Sequence, residues 1–253
     1  MQSNVLFLNK LEDMFKLVEK NVSVKYTQYL DELELSTALQ RIPTLKYYYP
    51  QTEVTLWGGY SNADRKVMCV HSMYIPIEPQ DFPIKVVQFN YSSNFNSLTH
   101  RDFLGAIMSL NVTRSSIGDI VVKQGTTQVA VLDTVADIIS NELVRIGRVG
   151  VKTSIVDSIS LNATQNFKDI NGTVASLRLD CIVSLVTGLS RANAVQLIKS
   201  KVVYVNHIEV FSPAVSLKVD DTFSIKGYGK YILKNVSEPT KKGRLHLLVN
   251  KYL

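Results

Sequence analysis

The chain has 253 residues, 45% hydrophobic and 20% charged, with a net charge of +6. That length holds one large domain or two to three small ones, each able to bury a core, and the composition is that of a globular protein. No apolar run approaches the roughly 18 residues that span a bilayer. Only two cysteines, Cys69 and Cys181, and four histidines are present, which argues against a disulfide framework or zinc site and for a reducing, cytosolic compartment.

The opening MQSNVLFLNKLEDMFKLVEKN lacks the basic leader and small-residue cleavage site of a signal peptide. It reads as an amphipathic helix with Leu6, Leu8, Leu11, Phe15 and Val18 on one face. A second helix is predicted from Tyr26 through DELELSTALQRI, ended by Pro43. EVTLWGGY and RKVMCVHSMYI then read as two strands joined in a hairpin, and Pro76, Pro79 and Pro83 mark a boundary that closes a first block at 1–83.

In the second block, 84–160, a strand (IKVVQFNYS) leads to a helix (THRDFLGAIMSLN) capped by Thr99. Two strands follow, GDIVVKQ and TTQVAVLD, then a helix (TVADIISNELVRI) that Asp133 caps and Gly147 ends, and a last strand (VGVKTSIV). This βαββαβ order is that of the ferredoxin-like split βαβ fold, which RNA-recognition motifs share. Their stacking aromatics are missing from TQVAVLD, and Phe89 and Tyr91 share a face with Val87 and read as core, so the fold allows nucleic-acid binding here without its residues demonstrating it. SLNATQNFKDINGT is either a linker or an edge strand with a turn at Asn171-Gly172.

The third block, 174–253, carries the charge. It holds 12 Lys and Arg against 5 Asp and Glu, whereas the preceding residues are nearly balanced at 16 against 17. Basic residues concentrated in one module favour a polyanionic partner, because each phosphate they neutralise releases counterions. An apolar stripe from Leu177 to Val186 ends at Gly188. Ser190 caps a second helix whose Ala194, Leu197 and Ile198 point inward, leaving Arg191 and Lys199 outside. VVYVN, HIEVF and DTFSIKGYG follow as short strands. The whole is thus an α+β protein of three parts.

RLD, SRANAVQLIKSKVVYVN and VDDTFSIKG, in this order and spacing, resemble the αL RNA-binding module named for the fourth small-subunit ribosomal protein. With WGGYSNADRK, LGAIMSLNVTRSSIGDIVV and RIGRVGVK, most of the chain is similar to YlmH-type proteins, bacterial and plastid relatives in which that module follows a ferredoxin-like domain. The resemblance implies RNA-phosphate contacts from Arg178, Arg191 and Lys199, near Ser190, with Asn206 on a structural position and Lys226 close to the same edge. Departures from the family pattern are Ala192, Val202, Tyr204, His207 and Lys201, the last replacing a glycine and so expected in a left-handed conformation. Lys201, Lys230, Lys241, Lys242 and Arg244 stand as compensating charges, and Arg145, Arg148 and Lys152 as a possible second RNA surface. The expected partners are structured RNA (rRNA or tRNA) and the large ribosomal subunit in rescue of stalled translation. The protein is expected to be a monomer in the cytoplasm, or a plastid in a plant, with no membrane.

Enzymatic readings have less support. Arg178-Leu179-Asp180 also resembles the catalytic motif of pseudouridine synthases, but lies where the binding module has it as structural sequence. Gly227 to Lys230 (GYGK) lacks the GxxxxGK[ST] of a phosphate loop. His71 and His100 have no evident Ser or Cys partner, and no metal spacing or cofactor motif is present. An RNA-modifying enzyme remains the alternative, followed by a protein scaffold in cell division or organelle assembly.

Overall fold

The computed structural model describes residues 2–61, 63–92, 98–161, 167–239 and 243–252, without the side chains of 2–4. Two compact units are distinguished, Met1–Glu34 with Arg41–Ala163, and Leu35–Gln40 with Thr164–Leu253.

The first unit opens with α1 (Gln2–Asn21). Leu11, Phe15 and Val18 form its buried stripe as the periodicity requires, with Met14 beside them, whereas Leu6 is 71% exposed. The strand β1 (Val24–Tyr29) follows where the sequence reading began a helix. VKYTQY is β-branched and aromatic, and it pairs antiparallel with β3. The helix α2 (Glu32–Tyr48) starts later, in a reciprocal cap. Glu34 N–H donates to Asp31 Oδ1 (2.8 Å) and Asp31 N–H to Glu34 Oε2 (3.0 Å). It also continues through Pro43, because Leu45 beyond that residue is fully buried and offsets the missing hydrogen bond. β2 (Thr52–Trp57) and β3 (Val67–Ser72) pair as expected, and β3, central in the order β1-β3-β2, is buried at all six positions.

Next come β4 (Ile84–Asn90), α3 (His100–Met108), β5 (Ile117–Lys123), β6 (Thr126–Leu132), α4 (Asp133–Glu142), a small hairpin of β7 (Arg145–Ile146) and β8 (Val149–Gly150), and β9 (Lys152–Val156). The four long strands form one antiparallel sheet in the order β5-β6-β4-β9. Val87 and Phe89 are completely buried, and Phe89 meets Phe103 of α3 edge-on with centroids 5.4 Å apart. Thr99 starts α3, donating from both its N–H and its hydroxyl to Asp102. Gly147 does not end α4, which stops at Glu142. At φ 58° it turns the β7–β8 hairpin instead.

Residues 1–34 and 41–83 of the first block therefore share one compact unit with the second block, 84–160, while 35–40 group with the second unit. A half-buried carboxylate ties the two blocks. Asp119 of β5 accepts from Tyr60 Oη (2.9 Å) and from the backbone N–H groups of Asp64 (2.7 Å) and Arg65 (3.1 Å).

In the second unit, β10 (Phe167–Val174) is an edge strand with Asn171 and Gly172 inside it, not at a turn. Two helices, α5 (Leu179–Thr187) and α6 (Arg191–Lys199), are followed by β11 (Val203–Val205), β12 (Ile208–Glu209), β13 (Thr222–Ile225), β14 (Gly229–Val236) and β15 (Leu245–Tyr252). The strands form an antiparallel sheet in the order β10-β15-β14-β13-β11-β12. Its core joins Ile182 and Val183 of α5 and Ile198 of α6 to Phe223, Tyr231, Leu233 and Val249 of the sheet. Gly227 and Tyr228 lie in the turn between β13 and β14. Among the described residues no single helix is long and apolar enough to cross a membrane.

Gly118 of β5 abuts the ring of Tyr29, 1% exposed, and a Cβ there would lie 2.6 Å from its Cζ. Gly118→Ala is expected to cost about 1–3 kcal/mol by overpacking, read as a lower urea midpoint with an unchanged m-value.

Candidate nucleic-acid interface

Arg178 stands immediately before α5, bridged to Ser216. The first amides of α5 are satisfied from outside the helix, Leu179 N–H by Val215 O (2.7 Å) and Asp180 N–H by Pro213 O (3.2 Å). The Asp180 carboxylate is thereby left to organise cations. Arg178 grips it in a two-point pair, Nε to Oδ1 at 3.0 Å and Nη2 to Oδ2 at 3.3 Å, and Arg191 Nε reaches Oδ2 at 3.0 Å. Cys181 N–H adds a bond to Oδ1 (3.1 Å). The Asp180 side chain is 3% exposed, but its partners are 42% (Arg178) and 58% (Arg191). Burial pushes the carboxyl up, and its hydrogen bonds and charge pairing with the two guanidiniums outweigh that and hold it below the usual carboxylate range. Two solvent-facing arginines are thus held in fixed directions by one buried acid.

The other positions follow from helix ends and turns. Ser190 caps α6 by accepting from Asn193 N–H (3.2 Å), which makes Arg191 the first helical residue and places it within reach of Asp180. Lys199 is the last residue of α6 and is exposed. Lys201 adopts φ 60°, the left-handed conformation that replacing a glycine demands. Asn206 and His207, at φ 49° and 66°, form the two-residue turn between β11 and β12. The Asn206 side chain is spent internally, donating to Asp221 Oδ1 (2.8 Å) and accepting from Thr222 N–H (2.9 Å). It shapes the turn and is not itself directed at a ligand.

Lys226 is exposed at the β13–β14 turn. Lys230 lies over the Tyr252 ring, 5.1 Å from its centroid, and Arg244 Nη2 donates to Thr173 O at 2.8 Å. Lys241 and Lys242 fall outside the described residues. In the first unit Arg145 and Arg148 project from the β7–β8 hairpin, and Lys152 begins β9 two residues beyond it, all three exposed. Among the described residues no group of three His, Cys, Asp or Glu is placed to hold a metal ion.

Two features escaped the sequence reading. In sequence Asp180 reads as a nucleophile or as structural sequence, and its role as the brace of Arg178 and Arg191 needs the spacing from RLD to SR to be seen as one ion cluster. Arg65 and Arg114 also converge, both donating to Ile117 O. Burial, with Arg65 alongside, pushes Arg114 down to about 10. No local motif announces that meeting of residues about 50 positions apart.

Asp180→Asn is expected to lower stability at pH 7 by about 1–3 kcal/mol, the range for charged hydrogen bonds. The folded pKa is depressed, so this contribution is present above the unfolded value of about 3.9 and is lost as pH falls through the folded value. The gap between urea melts of wild type and variant should therefore begin to close below about pH 4 and vanish only once the pH is under the folded value.

Comparison with known proteins locates this architecture. Residues 77–160 match the family model described as "Putative RNA-binding domain in YlmH". The chain is 29% identical over 239 residues to the protein of Bacillus subtilis (strain 168) named ribosome-associated protein quality control protein P2, covering 94% of this chain and 91% of that one. The solved structure titled cell division protein ylmH from Streptococcus pneumoniae superposes with a TM-score of 0.50 at 23% identity, over 62% of this chain and 92% of that one, which bears on the fold alone. The chain therefore carries a YlmH-type RNA-binding domain at 77–160 and is homologous along nearly its whole length to the Bacillus protein.

Proposed function

We propose that this chain is a non-catalytic, ribosome-associated RNA-binding protein that grips structured RNA through an αL-type module in its second unit. Arg178, Arg191 and Lys199 carry the grip. The observation behind this reading is the braced pair of arginines at the start of α5 and α6, held by a carboxylate that is 3% exposed. Helical RNA offers phosphates and shape more than readable base edges, and fixed guanidiniums meet phosphate oxygens with little further loss of side-chain freedom. Lys201, Lys226, Lys230 and Arg244 extend the basic surface. Arg145, Arg148 and Lys152 give the YlmH-type domain a second one.

The partner is rRNA or tRNA on the large ribosomal subunit, in quality control of stalled translation. The name and the nearly full-length similarity of the Bacillus relative support the ribosome-associated, quality-control part of that reading. Asp180 does not suit the nucleophile of a pseudouridine synthase. Both its oxygens accept hydrogen bonds, and its burial gives a substrate no approach.

Arg191→Glu with Lys199→Glu should abolish co-sedimentation with ribosomal subunits. The plot of log affinity against log salt for a labelled RNA hairpin should become shallower by about 2, one for each phosphate contact removed. Intact co-sedimentation with an unchanged slope would sink the proposal and favour a protein-binding scaffold.

A further inference from the structure

Beside the braced arginines, the second unit has a groove of about 350 Å³. Thr173 and Ala175, at the end of β10 and just past it, line it together with Ser184 and Leu185 of α5, Arg191 at the start of α6, and Arg244 just before β15. Arg191 and Arg244 are its only charged lining residues among those described. Each is tethered. Arg191 Nε is fixed on Asp180 at 3.0 Å, and Arg244 Nη2 is fixed on Thr173 O at 2.8 Å. A second strand and a second arginine, outside the motifs that resemble the αL module, therefore turn one side of the basic surface into a concavity.

A concave site suits something other than a stacked duplex. The phosphates of helical RNA lie on a convex surface and are met by an open row of cations, whereas a nucleotide that has left the stack needs a recess. This groove offers two guanidiniums for a phosphate, the Thr173 hydroxyl for a ribose or base edge with Ser184 Oγ, which donates to Leu189 O at 2.6 Å, left to accept, and the aliphatic wall of Leu185 and Ala175 for a base face. Its volume lies at the lower end of the range for small-ligand pockets. We infer that the groove receives one unpaired nucleotide of the bound RNA, its phosphate held between Arg191 and Arg244. The inference rests on the RNA-binding reading above and adds a preference for RNA with an extruded nucleotide.

The test uses the full chain and two fluorescein-labelled RNA hairpins with the same stem, one fully paired and one with a single-nucleotide bulge, followed by fluorescence anisotropy at several salt concentrations. Wild type should bind the bulged hairpin about tenfold more tightly. Arg244→Ala, which also removes one charge of the basic surface, should weaken the bulged hairpin about tenfold more than the paired one. Ala175→Leu, which narrows the groove and keeps every charge, should do the same, with thermal melting confirming that each variant folds. Equal wild-type affinity for the two hairpins, or an Arg244→Ala loss shared equally between them, overturns the nucleotide site while salt-dependent binding still supports the RNA-binding reading. Failure to bind either hairpin overturns both.

Discussion

Two arginines drawn to one carboxylate in open water would return little, because screening and lost side-chain freedom nearly cancel the attraction. Asp180 changes that balance by being buried while its partners are not. Left alone, a carboxylate in that position would pay a large desolvation cost, so the fold is committed to keeping the guanidiniums against it. The same commitment gives Arg178 and Arg191 fixed directions without hiding them. Much of the second unit serves this arrangement. The 213–216 segment takes up the first amides of α5, Ser190 sets the start of α6, and the Ile182, Val183 and Ile198 side chains hold both helices on the sheet.

The first unit uses a half-buried acid for a different purpose. Asp119 receives one phenol and two backbone amides, and burial still pushes its carboxyl up. It therefore works as an acceptor that fastens the segment after β2 to β5, and so makes one body of residues that the prolines at 76, 79 and 83 would divide by sequence. Asp180 directs cations outward. Asp119 draws two segments of backbone together.

How much of this could be read from the residues alone depended on the range over which the signal acts. The order of strands and helices from Ile84 to Val156 was legible because each element has its own period and turn. The turn of α5 into α6 was legible from Gly188, Ser190 and the apolar stripe. Tyr26 to Tyr29 read as helix in sequence because DELEL is so strong a helical start that its pattern extends backward over a strand whose partner, β3, lies some 40 residues away. Pro43 reads in sequence as the end of the helix because the burial of Leu45, which carries the helix past it, is a tertiary fact. At the candidate site, Arg178, Arg191 and Lys199 came from a family resemblance. The ion cluster that orients two of them exists only once α5 and α6 have packed together, and the groove completed by Arg244 only once β10 and β15 have met.

That meeting has a kinetic side. β10 pairs with β15 alone, and Asp169 and Asn250, which bond across the pair at 2.9 Å, are 81 residues apart in the chain. The helices and the small hairpins between them can form from local contacts, but closing the outer pair of strands must first overcome the entropy of a long loop. The basic helix ends are thus available early in folding, and the recess beside them late. A chain caught between those stages would present its exposed basic helix ends before the recess beside them had closed.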